Sequence, residues 1–188
     1  MNLIEINCKE IFKTAYQNRY YWTDNFNGYK GRCKYSMNKE YHEGSFVIGK
    51  DFKPEIKDID NSITVKSISS QLFEVSIHRV KREFGDVHSK NNFNLIKNTK
   101  EGVEMIVSGK NEGDKYRVKN NCINMVYRKI HGFIIEIFVQ DFLNTGNGYL
   151  SKRYTSIQLD QKNLAPITNK FQYEDEYIKI KQNHIWFM

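Results

Sequence analysis

Lys115-Tyr116-Arg117-Val118-Lys119-Asn120-Asn121 holds both the alternation and the turn from which the fold is read. In an extended chain Tyr116 and Val118 point to one side, and Lys115, Arg117 and Lys119 to the other. A strand of this kind sets one face against a core and one in water. Asn120-Asn121 then suits a tight hairpin, because Asn tolerates positive φ.

The same signature recurs on both sides of this stretch. Val103, Met105 and Val107 share one face, and Phe133, Ile135, Ile137 and Val139 make a wholly apolar one. From Asn91 onward, turn signals return at intervals of about ten residues. They are Asn98-Thr99-Lys100, Asn111-Glu112-Gly113, Asn120-Asn121, Ile130-His131-Gly132 and Thr145-Gly146-Asn147-Gly148. Further strands are expected from Tyr149 to Leu159, from Phe171 to Ile180 and from Ile185 to Phe187. Upstream, Tyr29, Gly31, Cys33, Tyr35 and Met37 alternate with Lys30, Arg32, Lys34 and Ser36, giving a strand with one basic face. A turn near Asn38-Lys39 leads to a second strand ending in Phe46-Val47-Ile48, and Pro54 ends the regular pattern.

Two helices are expected. Asn7 is a good N-cap with Glu10 three residues on, and Ile6 and Ile11 are spaced as a hydrophobic staple, so a helix should run to about Tyr20. A second helix is expected from Asp60 to Arg82, with Ser62 as cap and Ile68, Leu72 and Val75 on one face. The expected class is α+β and mainly β: an antiparallel meander forming a curved sheet or barrel, with an N-terminal helix and one inserted helix that could cover an opening. No Pro/Ser-rich linker and no repeat divides residues 1–188, which are read as a single domain.

Hydrophobic residues make up 39% of the 188 residues and aromatics 14%, so large rings must supply much of the buried area. The N-terminus meets charge at once, and no apolar run is long enough to span a bilayer. The expected compartment is the cytoplasm, or the plastid stroma if the gene is plastid-encoded. Three scattered cysteines, Cys8, Cys33 and Cys122, fit a reducing compartment and neither a disulfide framework nor a zinc cluster. The net charge of +7 fits an acidic partner, but the wealth of Lys and Asn favours a compositional origin. Tyr116-Arg117 and Tyr127-Arg128 put aromatics and cations on opposite faces, which argues against nucleic acid.

No P-loop, GxGxxG, HExxH or GxSxG is present, and no cofactor, metal site or catalytic residue is assigned. Thr145-Gly146-Asn147-Gly148 could cradle an anion, although a hairpin turn is the plainer reading. His88 and His131 are the candidates for acid–base chemistry if the protein is an enzyme. Arg153 shares a strand face with Tyr149, Ser151, Thr155, Ile157 and Leu159. If that face points inward, Arg153 needs a carboxylate such as Glu136 or Asp175, or an anionic ligand group.

Ala15-Tyr16-Gln17-Asn18-Arg19-Tyr20-Tyr21-Trp22 and Phe26-Asn27-Gly28-Tyr29 resemble the opening of a cyanobacterial family of unknown function. The resemblance continues in Ile77 to Arg82, Gly113 to Val118, Arg128 to Gly132, and Gly148-Tyr149-Leu150-Ser151 with Arg153-Tyr154. It implies a host with oxygenic photosynthesis and carries no catalytic residue. There is also a loose likeness to curved half-barrels that carry lipoproteins or lipids. The function expected is a non-enzymatic module holding a lipid, pigment or apolar segment. Trp22, Tyr29, Tyr116, Phe133 and Tyr154 would line or rim the cavity, and Arg153 would fix an acidic head group. The alternatives are a basic docking or assembly factor for an acidic photosynthetic complex, and an enzyme acting on a pigment-related small molecule.

Overall fold

The computed structural model describes residues 6–37, 39–130, 132–180 and 185–187. Strands hold 49% of the residues and helices 18%, so the class is the expected one, mainly antiparallel β. The chain divides into two compact units, Tyr21–Lys81 and the residues on either side of it.

In the larger unit, helix α1 spans Cys8–Gln17. Its start is set as the sequence predicts, with Asn7 Oδ1 accepting from the Glu10 N–H at 3.1 Å. Ile6 and Ile11 both pack on the core. The helix stops three residues short of the expected end because the chain turns at Asn18 and runs extended beside Tyr149. The Tyr149 N–H donates to the Asn18 carbonyl, and the Tyr20 N–H donates to the Tyr149 carbonyl, both at 2.9 Å.

In the smaller unit, β1 (Tyr29–Met37) and β2 (Glu40–Ile48) form the expected hairpin. Pro54 does not end the pattern. It opens an edge strand, β3 (Pro54–Lys57), paired from Ile48↔Pro54 onward. The first position of an edge strand tolerates a residue without an N–H. Helix α2 spans Ser62–Ile77, shorter than expected at both ends. Asn61 caps it in place of Ser62, its Oδ1 accepting from the Thr64 N–H at 3.0 Å. Past its C-terminus the Arg79 carbonyl accepts from the Trp22 N–H at 2.8 Å. The helix packs against β1 and β3 of its own sheet.

The rest of the larger unit is the predicted meander. After a short helix α3 (Phe84–His88), absent from the sequence expectation, come β4 (Asn91–Thr99), β5 (Gly102–Gly109), β6 (Lys115–Lys119), β7 (Cys122–Ile130), β8 (Phe133–Asn144), β9 (Tyr149–Asp160) and β10 (Phe171–Glu174). Each strand pairs with its sequence neighbours in one seven-stranded sheet. Register shifts in β4, β7, β8 and β9 mark bulges, which sharpen twist and curvature. The sheet curves without closing, since β4 and β10 remain its edges. The expected strand from Phe171 to Ile180 is two strands, β10 and β11 (Ile178–Ile180), and β11 pairs with β12 (Ile185–Phe187).

The core of this unit lies between the sheet and α1 with α3. Phe12, Ala15 and Tyr16 meet Phe93 of β4, Met105 and Val107 of β5, Tyr116 and Val118 of β6, and Ile123 of β7. The Phe12 ring lies 4.5 Å from Tyr116 and 4.7 Å from Phe93, centroid to centroid. Rings thus replace the scarce aliphatics, each removing a large area from water.

Candidate functional site

Residues directly opposite one another in an antiparallel sheet point to the same face. The register therefore traces one row across the core side: Met105, Tyr116, Val126, Ile137, Ser156 and Phe171. Under α1 the row is sealed, with Met105 0% and Tyr116 6% exposed. Past β7 it opens. Val126 and Ile137 are half-buried, and Phe171 is 51% exposed.

On the open part of this face β8 is apolar, and the residues opposite it on β9 include Ser156, Gln158 and Asp160. Phe133, Ile135, Ile137 and Val139 of β8 lie on this face, all half-buried. Val139 is opposite Tyr154, and Tyr154 is opposite Tyr173. The two tyrosine rings stack at 4.8 Å with a 10° interplanar angle. A cation on the same face marks the border with the sealed half. Arg128 is opposite Ile135 and donates through Nε to Asp114 Oδ2 at 3.4 Å. Asp114 is 2% exposed and also accepts from the Lys129 N–H at 3.1 Å and the Tyr116 hydroxyl at 3.4 Å. Burial raises the Tyr116 phenol well above its usual range, so it donates at physiological pH.

Of the residues expected to line a cavity, Phe133 and Tyr154 lie on this open face. Tyr116 shares the face but sits beneath α1 as a core residue. Arg153 is corrected. It is exposed and on the opposite side of β9 from Tyr154, with Asp141 and Glu174 as its cross-strand neighbours. Its expected partners play other parts. Glu136 sits opposite Tyr127 and Ile157, and the Asp175 Oδ2 accepts from the Tyr177 hydroxyl at 3.0 Å.

Trp22 and Tyr29 belong to the smaller unit and pack within it. Trp22 Nε1 donates to the Ser76 carbonyl at 2.9 Å. Its ring stacks on Phe26 at 4.4 Å, and Phe26 stacks on Phe52 at 5.6 Å. Tyr29 meets Trp22 and Phe46 at 5.8 and 5.5 Å.

The other candidates resolve as follows. Thr145-Gly146-Asn147-Gly148 is the hairpin turn between β8 and β9, with Thr145 Oγ1 donating to the Gly148 carbonyl. His88 is buried among Phe12, Tyr16, Phe84 and Phe93. Desolvation, then Arg19, Arg128 and Lys110, lower its pKa to about 4, so it is neutral at physiological pH. His131 lies outside the described residues. Burial pushes the Cys8, Cys33 and Cys122 thiols up, away from the reactive thiolate. Of the basic face of β1, Arg32 and Lys34 both reach Glu43 on β2. A cleft of about 430 Å³ on the far side of the large sheet is lined by Arg117, Asn124, Phe138 and Phe142, among others. Arg117 Nε donates there to Asn124 Oδ1 at 3.1 Å. Among the described residues no group of His, Cys, Asp and Glu is placed to hold a metal, and no helix is long and apolar enough to cross a membrane.

Sequence reasoning missed Arg128 and Tyr173 as members of the open face. Their signal is the cross-strand register, which follows only once the bulges are located.

Residues 4–188 match the family described as "Protein of unknown function (DUF3386)", and the chain belongs to it. No curated protein and no solved structure matches the chain.

Proposed function

We propose that this member of the family is a non-enzymatic binding module that holds an apolar ligand on the open half of the large sheet. The observation that carries this reading is the row from Met105 to Phe171, which stays on one face while exposure rises from 0% to 51%. Natural sheets cover such a face with a helix, and α1 with α3 covers only part of this one. The uncovered residues of β8 and β10 on this face are aliphatic and aromatic, the composition of ligand sites on curved sheets, and β9 adds Ser156, Gln158 and Asp160 beside Tyr154. The resemblance read in the sequence adds a photosynthetic lineage to the proposal. It makes membrane lipids and pigments the first classes to try.

A neutral fluorescent probe, N-phenylnaphthylamine, tests the reading. The native chain is expected to enhance its emission saturably, and Ile137→Lys, which places a charge in the middle of the face, should abolish the enhancement. Far-UV circular dichroism would show whether the variant keeps its fold. No saturable enhancement by the native chain, or an equal response from folded Ile137→Lys, overturns the proposal. Native mass spectrometry after exposure to a total lipid and pigment extract would then identify the ligand class.

A further inference from the structure

Resting on that reading, we infer that the ligand is an amphiphile with an uncharged, hydroxyl-rich head, its chain lying along β8 and its head meeting Ser156, Gln158 and Asp160 of β9. The register sets an apolar and a polar stripe side by side. Ser156 is opposite Ile137, Gln158 is opposite Ile135, and Asp160 is opposite Phe133. All three polar residues are half-buried. Side chains two residues apart on a strand stand roughly 7 Å from one another, so a single sugar-sized head can reach two of them.

The polar stripe is held in place without using up its side chains. β10 pairs with β9 from Glu174↔Arg153 to Phe171↔Ser156. Past Ser156 the segment that precedes β10 takes over that edge. The Gln158 N–H donates to Thr168 Oγ1 at 3.1 Å, and the Gln158 carbonyl accepts from the Ile167 N–H at 2.8 Å. Asp160 Oδ1 accepts from the Lys162 and Asn163 N–H groups at 2.8 and 3.1 Å, which fixes the carboxylate. Among the described residues the Ser156 hydroxyl and the Gln158 amide have no hydrogen-bond partner.

The residue types of the stripe point to hydroxyls. A serine hydroxyl and a glutamine amide each donate and accept, whereas a carboxylate accepts alone. Ligand hydroxyls also do both, so they can meet all three. A carboxylate or phosphate head could not donate to Asp160 and would be repelled by it. An ammonium head could not accept from Ser156 or Gln158, and it would share the row of Ile135 and Gln158 with Arg128. Phe171, exposed opposite Ser156, offers a ring on which the carbon skeleton of the head can rest.

Competition against N-phenylnaphthylamine decides the matter. The competitors are octyl glucoside, octanol, octanoate and methyl glucoside, each used below any concentration that forms micelles. Octyl glucoside is expected to displace the probe about tenfold more tightly than octanol, the margin of two neutral hydrogen bonds. Octanoate should do no better than octanol, and methyl glucoside should not displace the probe over the same range. Ser156→Ala combined with Gln158→Met should bring octyl glucoside to within about twofold of octanol while leaving octanol unchanged, which also shows that the face is intact. Equal affinities of octyl glucoside and octanol for the native chain overturn the inference. So does tighter binding of octanoate, displacement by methyl glucoside as strong as by octyl glucoside, or a preference that survives in the folded double variant. If the double variant fails to fold, the native chain is challenged with octyl glucoside whose hydroxyls are all methylated. The preference must then vanish, and its persistence overturns the inference. Saturable probe binding that no competitor displaces removes this ligand and leaves an apolar module. Absence of probe binding removes the apolar module itself.

Discussion

Asn91 Nδ2 lies 3.0 Å from His88 Nδ1, inside the aromatic core of the larger unit. The amide cannot turn round. Its Oδ1 accepts from the Asn111 N–H at 3.0 Å, and Nδ2 also donates to Asn111 Oδ1 at 2.9 Å. His88 therefore offers Nδ1 as an acceptor, and a second ring proton would meet an N–H donor. Geometry and desolvation act in the same direction, toward a neutral ring.

A pH dependence of stability follows. The unfolded histidine takes up a proton near pH 6.5 and the folded one near pH 4. Between those values the unfolded chain binds more protons, so stability is full above about pH 6.5 and declines as pH falls toward 4. The loss from this group amounts to at most roughly 3 kcal/mol. Urea midpoints measured across that window should fall for the native chain. His88→Phe, which keeps a ring in the cluster, should flatten the profile between the two values. An unchanged slope in His88→Phe would place the titration elsewhere.

Asp114 joins a turn to two strands. Asp114→Ala leaves the Lys129 N–H and the Tyr116 hydroxyl without their acceptor and removes the partner of Arg128. The expected loss is about 2–3 kcal/mol by chemical denaturation. Asp114→Asn retains an acceptor and should lose roughly half as much. The Tyr116 titration, followed by absorbance, should move down in both variants, because the carboxylate helps to hold it up. A loss in Asp114→Asn as large as in Asp114→Ala would mean that charge, not acceptor geometry, dominates.

The strands were legible where one face was consistently apolar and a turn residue fixed each end. Asn120 and Asn121 have φ of 51° and 57°, as the hairpin reading requires. β1 and β8 begin where alternation begins. What the sequence hid was set by tertiary partners. Helix α3 has only five residues and is held by Phe84 and His88 in the core. β3 is an edge strand whose first residue, Pro54, reads locally as a stop. The side of the sheet that Arg153 occupies depends on what covers each face, and alternation alone only groups residues. Periodicity grouped Arg153 with Thr155, Ile157 and Leu159 correctly, yet that group faces away from α1, and the bulge between Arg153 and Ser151 puts Tyr149 and Ser151, grouped with them by alternation, on the other face. Trp22 and Tyr29 stood out by composition, and local packing claims them both.

In the smaller unit, Trp22 joins an aromatic stack to the end of α2. Trp22→Phe keeps the stack on Phe26 but loses the bond from Nε1 to the Ser76 carbonyl. That carbonyl keeps the Arg79 N–H, at 3.3 Å, as a partner. The expected destabilisation is therefore modest, about 1–2 kcal/mol. Trp22→Ala also removes the ring and should lose about 3–5 kcal/mol. Thermal or urea unfolding of both variants checks the order, and equal losses would mean that the hydrogen bond outweighs the ring.

Gly148 is where the β8–β9 turn meets the chain leaving α1. Its φ is +109°, and a Cβ built on it would lie 2.7 Å from both the carbonyl carbon and oxygen of Arg19. Those atoms are backbone, so no side-chain rotation can relieve the clash. Gly148→Ala should therefore cost more than the roughly 1 kcal/mol of an unfavourable φ alone, because the 19–20 segment must also move away from Tyr149. Gly146 provides the contrast within the same turn. Its φ is +85°, but nothing lies within 4 Å of an added Cβ, so Gly146→Ala should show the conformational cost by itself. Denaturant midpoints for the two variants separate strain from collision. Hydrogen exchange at the Tyr20 and Tyr149 amides, which carry the bonds between the two segments, should quicken in Gly148→Ala and stay near native in Gly146→Ala. Equal midpoints would show that the segment after α1 yields freely, and the docking of the helix on the sheet would then rest on its buried rings alone.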